Sequence, residues 1–119
     1  MENMNLRNYA YIGDAIWEVF IREKTIKITE NSKKLHKITT EKVKASFQAF
    51  LLQKLDEILT DEEKEIARRA RNLPIPIGRR HIQAEYRQAT AFEVLIGYFN
   101  EHDNERLIFV QNYLEKYIE

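Results

Sequence analysis

Two carboxylates in this 119-residue chain sit where a carboxylate is expensive. Asp14 lies within YAYIGDAIWEVFI, residues 9–21, and Glu93 within ATAFEVLIGYF, residues 89–99. Both stretches are otherwise almost wholly apolar. A carboxylate in such surroundings forfeits several kcal/mol of solvation unless a cation or a hydrogen-bond network compensates, so packing alone does not account for either acid. Gly13 and Ala15 flank the first, while Ala89 and Ala91 precede the second. Small residues let helix backbones approach closely, which allows the two acids to converge. Glu18 follows Asp14 by four residues on the same helical face, as a third oxygen donor or an outer partner. Hard oxygen ligands without His or Cys suit Mg²⁺ or Mn²⁺, with water completing the octahedron. Two alternatives stand beside this one: Asp14 and Glu93 pair internally with arginines, and Glu18 points to solvent at the helix rim.

The elements that must position these acids are helices. Gly and Pro number only three and two, period-two alternation is nearly absent, and apolar residues recur at intervals of three and four. The fold class is all-α, with about six helices in one domain spanning residues 1–119. The first runs from about Tyr9 to Thr25. A short one starts at Ser32 as N-cap and continues through Lys37, and a third runs from Thr39 or Thr40 to about Leu59. Thr60, followed by Glu63, forms a capping-box signature that opens a fourth, ending near Asn72 before LPIPIG. The fifth covers about Ile82 to Asn100. The sixth follows Asp103 as cap, with Leu107, Val110, Leu114 and Tyr117 on one face. The first and fifth are apolar around most of their circumference, which places them centrally or at an interface.

Composition narrows the chemistry further. The absence of cysteine removes disulfides, thiolate metal sites and cysteine nucleophiles, and it fits a reducing compartment. No apolar run approaches the length of a membrane span, and the N-terminus lacks a secretory pattern, so the expected location is the cytoplasm, away from membranes. Nineteen Lys+Arg balance nineteen Asp+Glu, yet the signs are segregated. Residues 22–54 carry nine bases against three acids, and residues 68–88 carry six arginines against Glu85 alone. An acidic stretch from Asp56 to Glu65 lies between them. Such local fields suit a polyanionic partner, although charge runs are also ordinary solvated helix faces.

The letters around the two acids resemble a known family. YIGDAIWEV at Tyr11–Val19 and ATAFEVLIGYF at Ala89–Phe99 are similar to the two active-site helices of ribonuclease III catalytic domains. The matched positions are Gly13, Asp14, Ala15, Glu93, Leu95 and Gly97. LHK at Leu35–Lys37, RxRN at Arg69–Asn72 and YRxATAFE at Tyr86–Glu93 extend the resemblance over nearly the whole chain. A length of 119 residues leaves no room for an appended double-stranded-RNA-binding domain, so the resemblance is to the bacterial Mini-ribonuclease III group. It departs from ordinary ribonuclease III at Ala10 and Thr90, where that enzyme carries further acids. It departs again at Ala70, in place of the glycine of RGRN, and in the loop Leu73–Ile77.

The resemblance implies a ribonuclease III helical fold and a Mg²⁺-dependent endonuclease acting on double-stranded RNA as a homodimer. It also implies maturation of the large-subunit (23S) ribosomal RNA precursor, with 5′-phosphate and 3′-hydroxyl products. Asp14 and Glu93 inherit the catalytic and metal-ligand positions, and Glu18 is left as an outer or weak donor. Duplex RNA is held mainly through phosphates and 2′-hydroxyls, so the basic stretches become its clamps: Arg79, Arg80 and His81 in the loop, and Lys33, Lys34 and Lys37 as a second patch. Arg68, Arg69 and Arg71 are partly structural. Two strands require two hydrolyses, and a two-fold dimer using the first helix around Tyr9, Ile12 and Trp17 supplies the second site. His36 and His102 read as surface or capping residues. The rival functions are an inactive RNA-binding relative and a helical protein-interaction module.

Overall fold

The computed structural model describes residues 5–118, the Arg79 side chain excepted. Six α-helices follow one another among these residues: α1 (Leu6–Thr25), α2 (Ser32–Val43), α3 (Ala45–Leu55), α4 (Asp61–Arg71), α5 (Gln83–His102) and α6 (Asn104–Ile118). Short 3₁₀ turns occupy Asp56–Ile58 and Ile77–Ile82. There is no strand among the described residues.

Each helix start that carries a polar cap satisfies backbone donors that have no intrahelical partner. The Asn5 side chain accepts from the Arg7 amide at 2.8 Å, and the Asn31 side chain accepts from the Lys34 amide at 2.9 Å. At α4 the capping box forms in both directions: the Glu63 amide donates to Thr60 Oγ1 at 3.1 Å, and the Thr60 amide donates to Glu63 Oε1 at 2.9 Å. Asp103 Oδ1 accepts from the Arg106 amide at 3.0 Å and opens α6.

The second and third helices divide elsewhere than the sequence suggests. Asn31, one residue before Ser32, is the cap of α2, and the helix runs on to Val43. The chain breaks only at Lys44, whose φ of −75° and ψ of 160° are extended. Trp17 Nε1, reaching across from α1, donates to the Lys42 carbonyl at 3.1 Å and so occupies one of the acceptors freed by that break.

α5 is the central element, packed by α1, α3, α4 and α6. Its Phe92, Val94, Leu95, Ile96 and Phe99 are buried, as a helix surrounded on several sides requires. α1 is different: it buries one stripe at every fourth residue, Tyr9, Gly13, Trp17, Ile21 and Thr25, and leaves Tyr11, Ala15 and Val19 exposed. Tyr9 and Trp17 are 1% and 0% exposed, so they are core residues and not an association surface. Trp17 meets the Phe92 ring edge-on, with centroids 4.9 Å apart.

Polar ties fix the remaining pieces. Arg106 of α6 donates to both Glu63 carboxylate oxygens, at 2.7 and 3.0 Å, and to the Ile58 carbonyl at 2.8 Å. The segment between α4 and α5 is held at its start, where Arg7 donates to the Pro74 carbonyl and Arg87 to the Arg71 carbonyl, both at 2.6 Å. No helix of the described residues is long and apolar enough to cross a membrane.

Candidate active site

Asp14 and Glu93 are brought together by the closest backbone contact between α1 and α5. A β-carbon on Gly13 would lie 1.9 Å from the Glu93 carbonyl oxygen, and one on Gly97 would lie 2.0 Å from the Tyr9 carbonyl oxygen. Tyr9 and Gly13 are one turn apart on α1, as Glu93 and Gly97 are on α5, so the two contacts form a reciprocal antiparallel pair. Glycine is required at both points because any side chain would force the helices apart. Gly13 and Gly97, rather than Ala15, make the approach; Ala15 is exposed. Since Asp14 follows Gly13, its carboxylate is delivered to that of Glu93.

The resulting pair is asymmetric. Asp14 is exposed and Glu93 is half-buried, so the site opens to solvent on the Asp14 side and is not enclosed as the apolar sequence suggests. Burial pushes the Glu93 carboxyl up to about 8, with the adjacent Asp14 charge and a hydrogen bond donated to Asp14 adding to the rise. The side-chain amide of Gln48, on α3, opposes the shift by stabilising the ionised form. Gln48 is 1% exposed, and its Nε2 completes no hydrogen bond with any described residue. Its amide lies near enough to Glu93 to influence the charge without forming an aligned bond.

Among the described residues, neither acid forms an ion pair with Lys or Arg, which sets aside an internal arginine pairing. Glu18 does have such a partner. Its Oε2 takes Arg22 Nε at 3.0 Å and lies 2.5 Å from Arg22 Nη2, one turn along the surface of α1. No group of three His, Cys, Asp or Glu placed to hold a metal ion occurs among the described residues, and Glu18 is engaged by Arg22. Two carboxylates in contact, one exposed and one with a raised pKa, are nevertheless a donor set suited to a hard divalent ion, because an added positive charge relieves their repulsion. Water or a phosphate oxygen would complete its coordination.

Among the described residues, none of the candidate RNA-binding bases pairs with either acid. Lys33, Lys34 and Lys37 are exposed along the start of α2, and Arg80 and His81 are exposed in the turn before α5. The Arg79 side chain lies outside the described residues. Arg68 pairs with Glu65 at 2.6 Å, a structural role on α4. His102 Nε2 is 2.6 Å from the Tyr9 hydroxyl and packs against the Tyr98 ring, so it secures the end of α5. His36 is exposed on α2, where its carbonyl accepts from the Thr40 hydroxyl.

Gln48 is the site residue that the acid pattern does not reveal. A signal for it exists: it precedes Leu51, Leu52 and Leu55 by three, four and seven residues, the spacing of the buried face of α3. An amide at that register calls for a polar partner inside the fold.

Comparison with known proteins gives the family of the chain. The Ribonuclease III domain family matches residues 7–103. A Mini-ribonuclease 3 of Gloeobacter violaceus is 40% identical over 107 residues, covering 90% of this chain and 79% of that protein. One from Clostridium tetani is 36% identical, covering 90% and 74%. A Mini-ribonuclease 3-like protein of Ilyobacter polytropus is 36% identical, covering 99% and 96%. The crystal structure of a Fusobacterium nucleatum protein superimposes with a TM-score of 0.84 at 32% identity, covering 97% of this chain and 94% of that one. On these matches the chain belongs to the Mini-ribonuclease III group of the ribonuclease III family.

Proposed function

We propose that this chain is a Mg²⁺-dependent endoribonuclease that cleaves double-stranded RNA. The observation that carries the reading is the meeting of Asp14 and Glu93 at an open edge where, among the described residues, neither is paired with Lys or Arg. Asp14 and Glu93 would hold the ion, with Mn²⁺ as a workable substitute. When bound, it supplies an activated water and charge neutralisation at a phosphodiester, which yields 5′-phosphate and 3′-hydroxyl ends. Burial raises the Glu93 carboxyl to about 8, and a bound dication would favour its ionised form. Asp14, being exposed, is the acid that faces the incoming phosphate.

Lys33, Lys34, Lys37, Arg79, Arg80 and His81 serve in this reading as backbone clamps for an A-form duplex. Each chain offers one acid pair, whereas a duplex has two strands to cut. We infer a homodimer. The apolar surface that α1 leaves open, with Tyr11 83% and Val19 55% exposed, supplies its contact in place of the buried Tyr9 and Trp17. The large-subunit ribosomal RNA precursor is the proposed substrate and the cytoplasm the proposed location. The test is incubation of a structured 23S precursor fragment with and without Mg²⁺, followed by end mapping. New 5′-phosphates only in the presence of Mg²⁺ support the reading. Equal binding with chelator and no new ends would instead identify an inactive RNA-binding relative.

A further inference from the structure

A buried amide nitrogen without a hydrogen bond costs on the order of 1–3 kcal/mol, so a fold that retains one needs a reason for it. Gln48 Nε2 is such a group, and an apolar side chain of similar length would fit the inner face of α3 beside Leu51, Leu52 and Leu55 without that penalty. What singles out the position is its neighbour. α3 packs along α5, and the buried Gln48 amide is a side-chain neighbour of the Glu93 carboxyl, whose other neighbour is the exposed Asp14.

We propose that Gln48 is a positioning residue for the metal site, its Nε2–H holding one Glu93 oxygen from the protein interior so that the other is presented to an ion shared with Asp14. The inference rests on the metal reading given above. An anchor of this kind orients a ligand without touching the ion, and removing one typically weakens metal affinity by about 10–100-fold. Gln48 Nε2 makes no hydrogen bond to a described residue in this structure and would close on Glu93 once that carboxylate holds an ion.

The test is calorimetric titration of Mn²⁺ into the full chain, the Gln48→Met variant and the Gln48→Asn variant. Gln48→Met keeps the side-chain volume and removes the donor; Gln48→Asn keeps the donor and withdraws it by one methylene. Both should bind Mn²⁺ about 10-fold more weakly or worse. Gln48→Met should melt at the same temperature as the unaltered chain or higher, since a residue acting only through packing has no reason to change ion affinity at constant stability. The Mg²⁺ concentration for half-maximal RNA cleavage should rise in parallel, with the rate recovering at saturating Mg²⁺. A folded variant of either kind that binds Mn²⁺ as tightly as the unaltered chain overturns the inference alone. Absence of Mn²⁺ binding in the unaltered chain overturns the metal reading and the inference with it.

Discussion

Gly13 and Glu93 are in backbone contact: a β-carbon on the former would fall 1.9 Å from the carbonyl oxygen of the latter, where real β-carbon contacts essentially never come under 3.0 Å. The acid that follows Gly13 and the acid on α5 therefore meet because glycine permits the crossing.

Gly13→Ala should be destabilising despite the better helix propensity of alanine. The propensity gain is about 1 kcal/mol. Overpacking typically costs about 1–3 kcal/mol and here displaces backbone rather than a flexible side chain, so the overlap wins. Urea denaturation should show a net loss of about 1–3 kcal/mol, and cleavage should fall by at least about 100-fold because Asp14 shifts relative to Glu93. An alanine variant of full stability and rate would mean that the crossing does not depend on this glycine.

Glu93 makes the ion-free protein sensitive to pH in an unusual direction. Its folded pKa of about 8 lies above the ordinary value of 4.5, so between these values the native state holds a proton that the unfolded chain has lost. Stability from this group is fully present below about pH 4.5 and is lost as pH rises through 8. In chelator, Glu93→Gln should raise stability at pH 8.5 by roughly 1–3 kcal/mol relative to the unaltered chain and have little effect at pH 4.5. Mg²⁺ should raise the melting temperature of the unaltered chain at pH 8.5 and leave that of Glu93→Gln unmoved. The opposite pH trend in paired denaturation curves would contradict the burial of this carboxyl.

The tie between Glu63 and Arg106 should be a principal support outside the site. Glu63 is 8% exposed, and its carboxylate serves both the Thr60 amide and the Arg106 guanidinium. Arg106→Ala leaves that acid without its cation and the Ile58 carbonyl without its donor, with an expected loss of about 3–5 kcal/mol. Chemical denaturation checks this, and a loss below about 1 kcal/mol would show the pair to be no stronger than an exposed one.

How much of this was legible in the sequence depends on how local the determinant is. Thr60 with Glu63, Asp103 ahead of α6 and the Pro74–Pro76 stop each act within a few residues, and each is where the pattern places it. The break at Lys44 is not local: one of the carbonyls it frees is taken by Trp17, 25 positions earlier. Apolarity alone likewise misassigns the faces of α1. It marks Tyr9, Ile12 and Trp17 as surplus, whereas the four-residue register of Gly13 puts Tyr9 and Trp17 inside and Tyr11 and Val19 outside. The two acids could be paired from their setting, but Glu18 could not be assigned without seeing Arg22 fold onto it. Gln48 escaped because its meaning depends on which side chain of α5 it faces.

Association should depend on the outward face of α1. Tyr11→Glu combined with Val19→Glu places charge on an exposed apolar surface at little cost to the fold and should convert a dimer into the 14.3 kDa monomer in sedimentation velocity. A sedimentation coefficient unchanged by the double substitution would locate the interface elsewhere.

The most direct measurement of the central claim is single-turnover cleavage of a duplex RNA by Asp14→Asn and Glu93→Gln, each compared with the unaltered chain in saturating Mg²⁺. Each substitution removes one ionisable oxygen ligand while keeping shape, so both should abolish cleavage while RNA binding, measured by gel shift, is retained. Mg²⁺-dependent cutting at the normal rate by both variants would show that the acid pair is not the catalytic centre.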